Sequence, residues 1–232
     1  MNEQPNWQWN EIQHVGTNFA DAVEVERYER RMGEFRDLAA EDAAILTALA
    51  LPPNSHILEI GTGTGHFARA AAVAGHRVTA VDISPAMLEH AEKRAKLEGL
   101  TTIEFHHGGF LTFSAAPATF DAAVSVAVLH HLPDFWKAVS LQNIHRMLKP
   151  AGLFVLRDVV FSWEGEDYRR PLDAFINAMP DGMRKAATGH VAKEFSTLDW
   201  IMEGLLIRAG FRILKIVADH APLIQYLCRA EP

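Results

Sequence analysis

Residues 58–68 read LEIGTGTGHFA, so Gly61, Gly63 and Gly65 stand at every second position after an apolar run. Glu59 lies two positions ahead of the first glycine, and Asp82 follows that glycine by 21 residues, at the end of a second apolar run, RVTAVD. Glycine lacks Cβ, admits positive φ and lets another molecule approach the backbone closely. Such a turn between a strand and a helix suits the phosphate or sugar end of a nucleotide-derived ligand. An Asp at the end of the next strand suits two ribose hydroxyls, because each carboxylate oxygen accepts hydrogen bonds.

The turn leaves two cofactor chemistries open at this point. The dinucleotide fingerprint G-x-G-x-x-G/A can be laid over Gly63-Thr64-Gly65-His66-Phe67-Ala68, but it starts one dipeptide late and leaves Gly61 and Glu59 unexplained. A dinucleotide would also bring a doubly anionic pyrophosphate to the turn, where Glu59 repels it. A cofactor carrying a sulfonium and an ammonium is favoured by the same carboxylate, so Glu59 leans towards S-adenosylmethionine. Asp82 does not discriminate, since both cofactors contain ribose.

The surrounding elements must hold this turn at a sheet edge. HILEI (56–60), RVTAV (77–81), TIEFH (102–106), FDAAVSVAV (120–128) and GLFVLRDV (152–159) read as short buried strands. Helices are expected over 64–74, from Ser84 to about Glu98 with Pro85 in the first turn, and from Asp134 to Leu148. Val23, Tyr28, Met32, Phe35, Leu38, Ile45, Leu46 and Leu49 make one helical stripe ended by Pro52-Pro53. Ser196 with Asp199 reads as a capping box that opens a further helix, with Phe195 stapled onto Trp200. FRILKIVAD (211–219) and LIQYLCRA (223–230) form a hairpin around Ala221-Pro222.

Strand–helix alternation predicts an α/β fold: a Rossmann-like, doubly wound sheet of seven strands, mostly parallel with the last strand antiparallel, and helices on both faces. The chain is expected to be one domain over residues 1–232. Its parts are a helical cap at 1–50, a cofactor-binding core at 51–160, a substrate lid at 161–195, and a C-terminal helix with hairpin at 196–232.

On these residues the chain resembles the class I S-adenosylmethionine-dependent methyltransferases, nearest the small-molecule enzymes of the ubiquinone/menaquinone-biosynthesis type. ILEIGTGTG is similar to the first family motif, E/D-x-G-x-G-x-G, and AVDISPAMLEHA to the acidic motif with the helix behind it. FDAAVSVAVLHHLPDFWKAVSLQNIHRMLKPAGLFVL follows the family order of strand, helix, Lys-Pro-x-Gly turn and strand, and AGFRILKI is similar to its sixth strand. The resemblance implies transfer of a methyl group to a small or medium organic acceptor, leaving S-adenosylhomocysteine. It assigns Glu59, Gly61, Thr62, Gly63 and Gly65 to the methionine end and Asp82 to the ribose. Ile83 and Met87 would pack on the adenine, with Phe110 beside the purine and Val126 facing the cofactor. One departure stands out: Gly109 occupies the position of the Asp that accepts from the adenine amino group in the family.

Methyl transfer needs no catalytic triad, because the electrophile comes with the cofactor. No catalytic residue is assigned. His130-His131, beyond the fourth strand, are read either as a base or as packing, His106-His107 as structural, and no metal site is expected, there being no H-x-x-x-H spacing. Trp7, Trp9, Phe19 and Tyr28, with Trp163, Tyr168 and Phe175, suit flaps over an apolar acceptor pocket or a homodimer contact. A net charge of −7 without a basic run argues against nucleic acid and anionic membrane as partners. A single cysteine, no signal-like N-terminus and no spanning apolar run predict a cytoplasmic protein. An NAD-dependent oxidoreductase and a non-catalytic S-adenosylmethionine-binding protein are the alternatives.

Overall fold

A run of small and branched apolar residues can be buried on both faces of a sheet, and the central strands of this chain are. In the computed structural model, which describes residues 5–13, 25, 28, 32–33, 36–162, 166–220 and 222–232, neighbouring strand residues enter opposite cores. Leu58 and Leu156 join Phe120, Leu141, Phe154 and Tyr226 on one side. Ile57 and Val155 join Ile45, Leu49, Phe67 and Val124 on the other. This period-two division explains why the strands read as unbroken apolar runs.

The described elements are α1 (Leu38–Leu49), β1 (His56–Ile60), α2 (His66–Val73), β2 (Arg77–Asp82), α3 (Pro85–Leu97), β3 (Ile103–His107) and β4 (Phe120–Val126). After a 3-10 turn at Leu129–His131 come α4 (Asp134–Met147), β5 (Leu148–Phe161), α5 (Arg169–Ala178) and α6 (Asp181–Lys193). The chain ends with β6 (Thr197–Leu198), α7 (Asp199–Arg208), β7 (Phe211–His220) and β8 (Leu223–Ala230). The sheet order is β3-β2-β1-β4-β5-β8-β7, with β6 on the side of β5. The strands from β3 to β5 pair in parallel, and β8 runs antiparallel between β5 and β7. Seven strands and the antiparallel last strand are as expected; the two-residue β6 is an addition. Between β1 and β4 the order of connection reverses, which opens a crevice at the carboxyl ends of those strands.

Local chemistry sets the element ends. Ser84 caps α3, its hydroxyl accepting from the Met87 amide at 3.2 Å, with Pro85 at the first helical position. The Lys149-Pro150-Ala151-Gly152 stretch does not precede β5 but lies inside it, absorbed as an irregularity opposite Phe120 and Ala122. A Cβ on Gly152 would come within 2.9 Å of the Lys149 carbonyl, so only glycine fits that kink.

Three further expectations are corrected. The stripe from Val23 to Leu51 is not one helix: Val25, Tyr28 and Met32 are helical, but Asp37 starts α1 by accepting from the Ala40 amide at 3.0 Å. Ser196 does not cap a helix, because Thr197–Leu198 first pairs with β5; Leu198 precedes α7, Trp200 is exposed and Phe195 packs edge-on against Trp9. The lid segment is not irregular but two helices. Its prolines do not break them, since Pro171 sits in the first turn of α5 and Pro180 immediately before α6, where no helical N–H bond is lost. Phe19, Val23, Phe35, Trp163 and Ala221 lie outside the described residues.

Candidate functional site

The glycine turn is tied to the end of β2 at two levels. The amides of Gly61 and Thr62 donate to the Val81 carbonyl at 2.8 and 3.0 Å, and the Gly63 amide donates to Asp82 Oδ2 at 2.8 Å. Gly61 has φ 80°, and a Cβ there would lie 2.2 Å from a Val128 methyl carbon. Gly65, at φ 74°, leads into α2 with its missing Cβ against Ala91. Gly61 and Gly65 are therefore required twice over, by backbone conformation and by close approach, and Gly63, at φ 54°, by conformation alone.

Beneath the turn lies Glu59, 5% exposed, which accepts the Thr62 hydroxyl at 2.6 Å. Burial raises its pKa to about 8 against the pull of that hydrogen bond, and Asp42 and Asp82 add negative charge nearby. Asp42 on α1 is itself paired with His66 at the start of α2.

Asp82 faces an open-sided cavity at the carboxyl ends of β1, β2 and β4. Its two oxygens each take one backbone donor, Gly63 on Oδ2 and Ser84 on Oδ1, both at 2.8 Å. Burial raises its pKa. Gly61, Gly63, Asp82, Ile83, Met87, Gly109, Phe110 and Val126, eight of the residues expected from the sequence, line this cavity together. Glu59, Thr62 and Gly65 do not line it. They shape the turn from behind.

Sequence reasoning missed Glu11. It reaches the cavity from the N-terminal segment and accepts the Leu111 amide at 3.0 Å and the Thr112 hydroxyl at 2.6 Å. A Cβ on Gly109 would sit 2.6 Å from Glu11 Oε2 and 2.7 Å from Ile83 Cγ2. The residue without a side chain is what admits the carboxylate of another segment. Burial raises the Glu11 pKa, opposed by the Thr112 and loop-amide bonds. The same segment is held by Gln8, which donates to the Leu111 carbonyl at 3.3 Å, and by Trp9 against Phe195. Tyr28, one of the aromatics expected over the pocket, lines the cavity, as does Val128, which sequence reasoning missed.

The two histidine pairs behave differently. His107 bonds the Ile83 carbonyl at 3.0 Å and His106 lies near Glu104, both away from the crevice. His131 lines the cavity, whereas His130 is buried behind it. His130 Nδ1 is paired with Asp158, its backbone amide donates to Asp158 at 2.9 Å, and its Nε2 lies 3.3 Å from Glu194 Oε2. Glu194 also pairs with His190 Nδ1, and His190 Nε2 lies 2.7 Å from Ser196 Oγ. Burial pushes the His130 pKa down, but Asp158 and Glu194 outweigh it and hold it at about 9. Burial and the adjacent His130 charge push His131 down to about 4. Burial tends to raise Glu194 and Asp158, yet the facing histidines pull both below the ordinary carboxylate range.

Comparison with known proteins bears on this arrangement. A family model described as a methyltransferase domain matches residues 57–152. An uncharacterized methyltransferase of Bacillus subtilis, YrrT, is 31% identical over 169 residues, which span 73% of this chain and 75% of that protein. An uncharacterized methyltransferase of Geobacillus kaustophilus is 29% identical over 203 residues, 85% of this chain and 90% of that one. The crystal structure of a SAM-dependent methyltransferase from Aquifex aeolicus superposes with a TM-score of 0.64 at 16% identity, covering 90% of this chain and 98% of that one. That last likeness concerns the fold.

Proposed function

Since this chain belongs to the class I S-adenosylmethionine-dependent methyltransferases, we propose that the cavity between the glycine turn and Asp82 binds S-adenosylmethionine, whose methyl group passes to a small or medium organic acceptor. The observation that carries the binding site is Asp82: a buried carboxylate at the cavity wall whose oxygens each hold one backbone N–H and retain acceptor capacity. Two vicinal ribose hydroxyls match that capacity. The residues fit the cofactor at the other end too, because nothing lies within 4 Å of where a Gly63 Cβ would stand, which leaves the turn backbone open to close approach.

When bound, S-adenosylmethionine supplies the electrophilic methyl group. The chain does the rest by position. Ile83 and Met87 offer an apolar wall to the adenine, and Val126 lies where the strand end meets the cofactor. Glu11 stands beside Gly109, where the family places an Asp, and we assign it the adenine amino group. Glu59 balances the positive methionine end from below the turn. His131 offers an imidazole to an acceptor that arrives protonated. The N-terminal segment and the α5–α6 pair flank the acceptor side and exclude water there. Among the described residues no helix is long and apolar enough to cross a membrane, and our reading takes the reaction to be cytoplasmic.

The test is turnover. The protein is incubated with methyl-labelled S-adenosylmethionine and fractions of a small-metabolite extract. Label in a small organic product, with one S-adenosylhomocysteine formed per transfer, is expected. Cofactor binding with no transfer to any fraction would leave a binder rather than an enzyme, and a thermal shift with NADH alone would refute the cofactor.

A further inference from the structure

We propose that His130, His190 and Glu194 form a binding site for a divalent transition-metal ion, with Zn²⁺ the best match, which ties the α5–α6 lid to the core beside the cofactor cavity. One donor atom from each residue lies within 4.8 Å of the others, and the three side chains are largely enclosed. His130 Nε2 and Glu194 Oε2 are 3.3 Å apart. That matches the edge of a tetrahedron built from ~2.1 Å metal bonds, about 3.4 Å. His190 and Glu194 are four residues apart at the end of α6, so both reach the same side, and His190 Nδ1 meets the same carboxylate oxygen.

The backs of the two rings make the case stronger. Ligating histidines are normally held through the nitrogen that does not bind the metal. Here Asp158 holds His130 Nδ1, and Ser196 Oγ lies 2.7 Å from His190 Nε2, so both front nitrogens are aimed at one point. Charge favours a cation too, since the Glu194 carboxylate faces this point and Asp158 adds negative charge from behind the His130 ring. Two nitrogens and one oxygen suit zinc and its first-row neighbours better than magnesium or calcium, which require mostly oxygen. Three protein ligands leave a fourth position for water or for a donor atom of the acceptor. His130 belongs to the loop after β4, whereas His190 and Glu194 belong to the lid, so a bound ion joins two parts that are 60 or more residues apart.

The site stands on these side chains and not on the cofactor assignment, and its test separates the two. Untagged protein, stripped with chelator and dialysed, is titrated with Zn²⁺ against a chromophoric competitor. Bound metal is counted after gel filtration, and Co²⁺ is added separately to read its visible spectrum. The expected result is one ion per chain, an intense four-coordinate cobalt spectrum, and slower proteolysis of residues 166–193 with zinc. His190→Gln and Glu194→Gln should each weaken zinc about 100-fold or more, and Asp158→Asn by roughly 10–100-fold. Circular dichroism and an unchanged thermal shift with S-adenosylhomocysteine show that the variants are folded. Sub-stoichiometric uptake, or uptake unaltered in both lid variants, would overturn the site. Zinc bound without protection of the lid would overturn the tie.

Discussion

Replacing Glu59 by Gln isolates the electrostatics under the glycine turn. The amide keeps an acceptor for the Thr62 hydroxyl and has the shape of the protonated acid, but it cannot ionise. Glu59 titrates at about 8 in the folded protein against 4.5 ordinarily, because burial disfavours its charge. Between those values the native state keeps a proton that the unfolded chain has released. Stability of the cofactor-free protein is therefore lost as pH rises, by about 1.4 kcal/mol per pH unit, and by an upper bound of about 5 kcal/mol across the window. Below pH 4.5 both states are protonated and nothing has been lost. Above pH 8 both are ionised and the loss is complete. Urea unfolding of the two proteins between pH 5 and 8 should show the variant gaining on the parent by most of that slope. A difference independent of pH would refute the assignment of a buried, proton-bearing Glu59. The same variant should bind S-adenosylmethionine about tenfold more weakly at about pH 9, where the parent is mostly ionised beneath the positive methionine end.

Three other outcomes follow from the cavity wall. Asp82→Ala should lower S-adenosylmethionine affinity at least tenfold by calorimetry while the fold survives, and unchanged affinity would disprove the ribose assignment. Gly61→Ala places a methyl group 2.2 Å from Val128 at φ 80°, so binding should fall below detection in the same titration. Glu11→Ala leaves the Leu111 amide and Thr112 hydroxyl without their acceptor. It should cost about 1–3 kcal/mol in urea unfolding and reduce the preference for adenosyl over inosyl cofactor. Retention of both would show that Glu11 merely covers the loop.

What could be read from the chain alone follows the range of the forces involved. The strands, the turn glycines and Asp82 are specified locally, by apolar runs, by φ and by position at a strand end, and they fall where expected. Glu11 carries no such signal: its partners are about 100 residues away, and its segment has no apolar period. Gly109 hints at it only in retrospect, as a missing side chain whose space another residue fills. The grouping of His130 with His190 and Glu194 likewise depends on how α6 docks against the loop after β4. The lid segment mixes aromatics with charges and two prolines, which hides its helices, although a proline in or before a first turn, as at Pro171 and Pro180, costs a helix nothing. Ser196 matched a capping box in spacing, but pairing of Thr197–Leu198 with β5 claimed that backbone first. Local patterns thus located the floor of the cavity, and its cover came from contacts between distant segments.

The most direct measurement is a crystal structure of the protein grown with S-adenosylhomocysteine. The account predicts the two ribose hydroxyls on Asp82, the adenine between Ile83 and Glu11, and the amino-acid end over Gly61 and Gly63. Ribose density away from Asp82, or a cofactor diphosphate seated on the glycine turn in crystals grown with NADH, would contradict it.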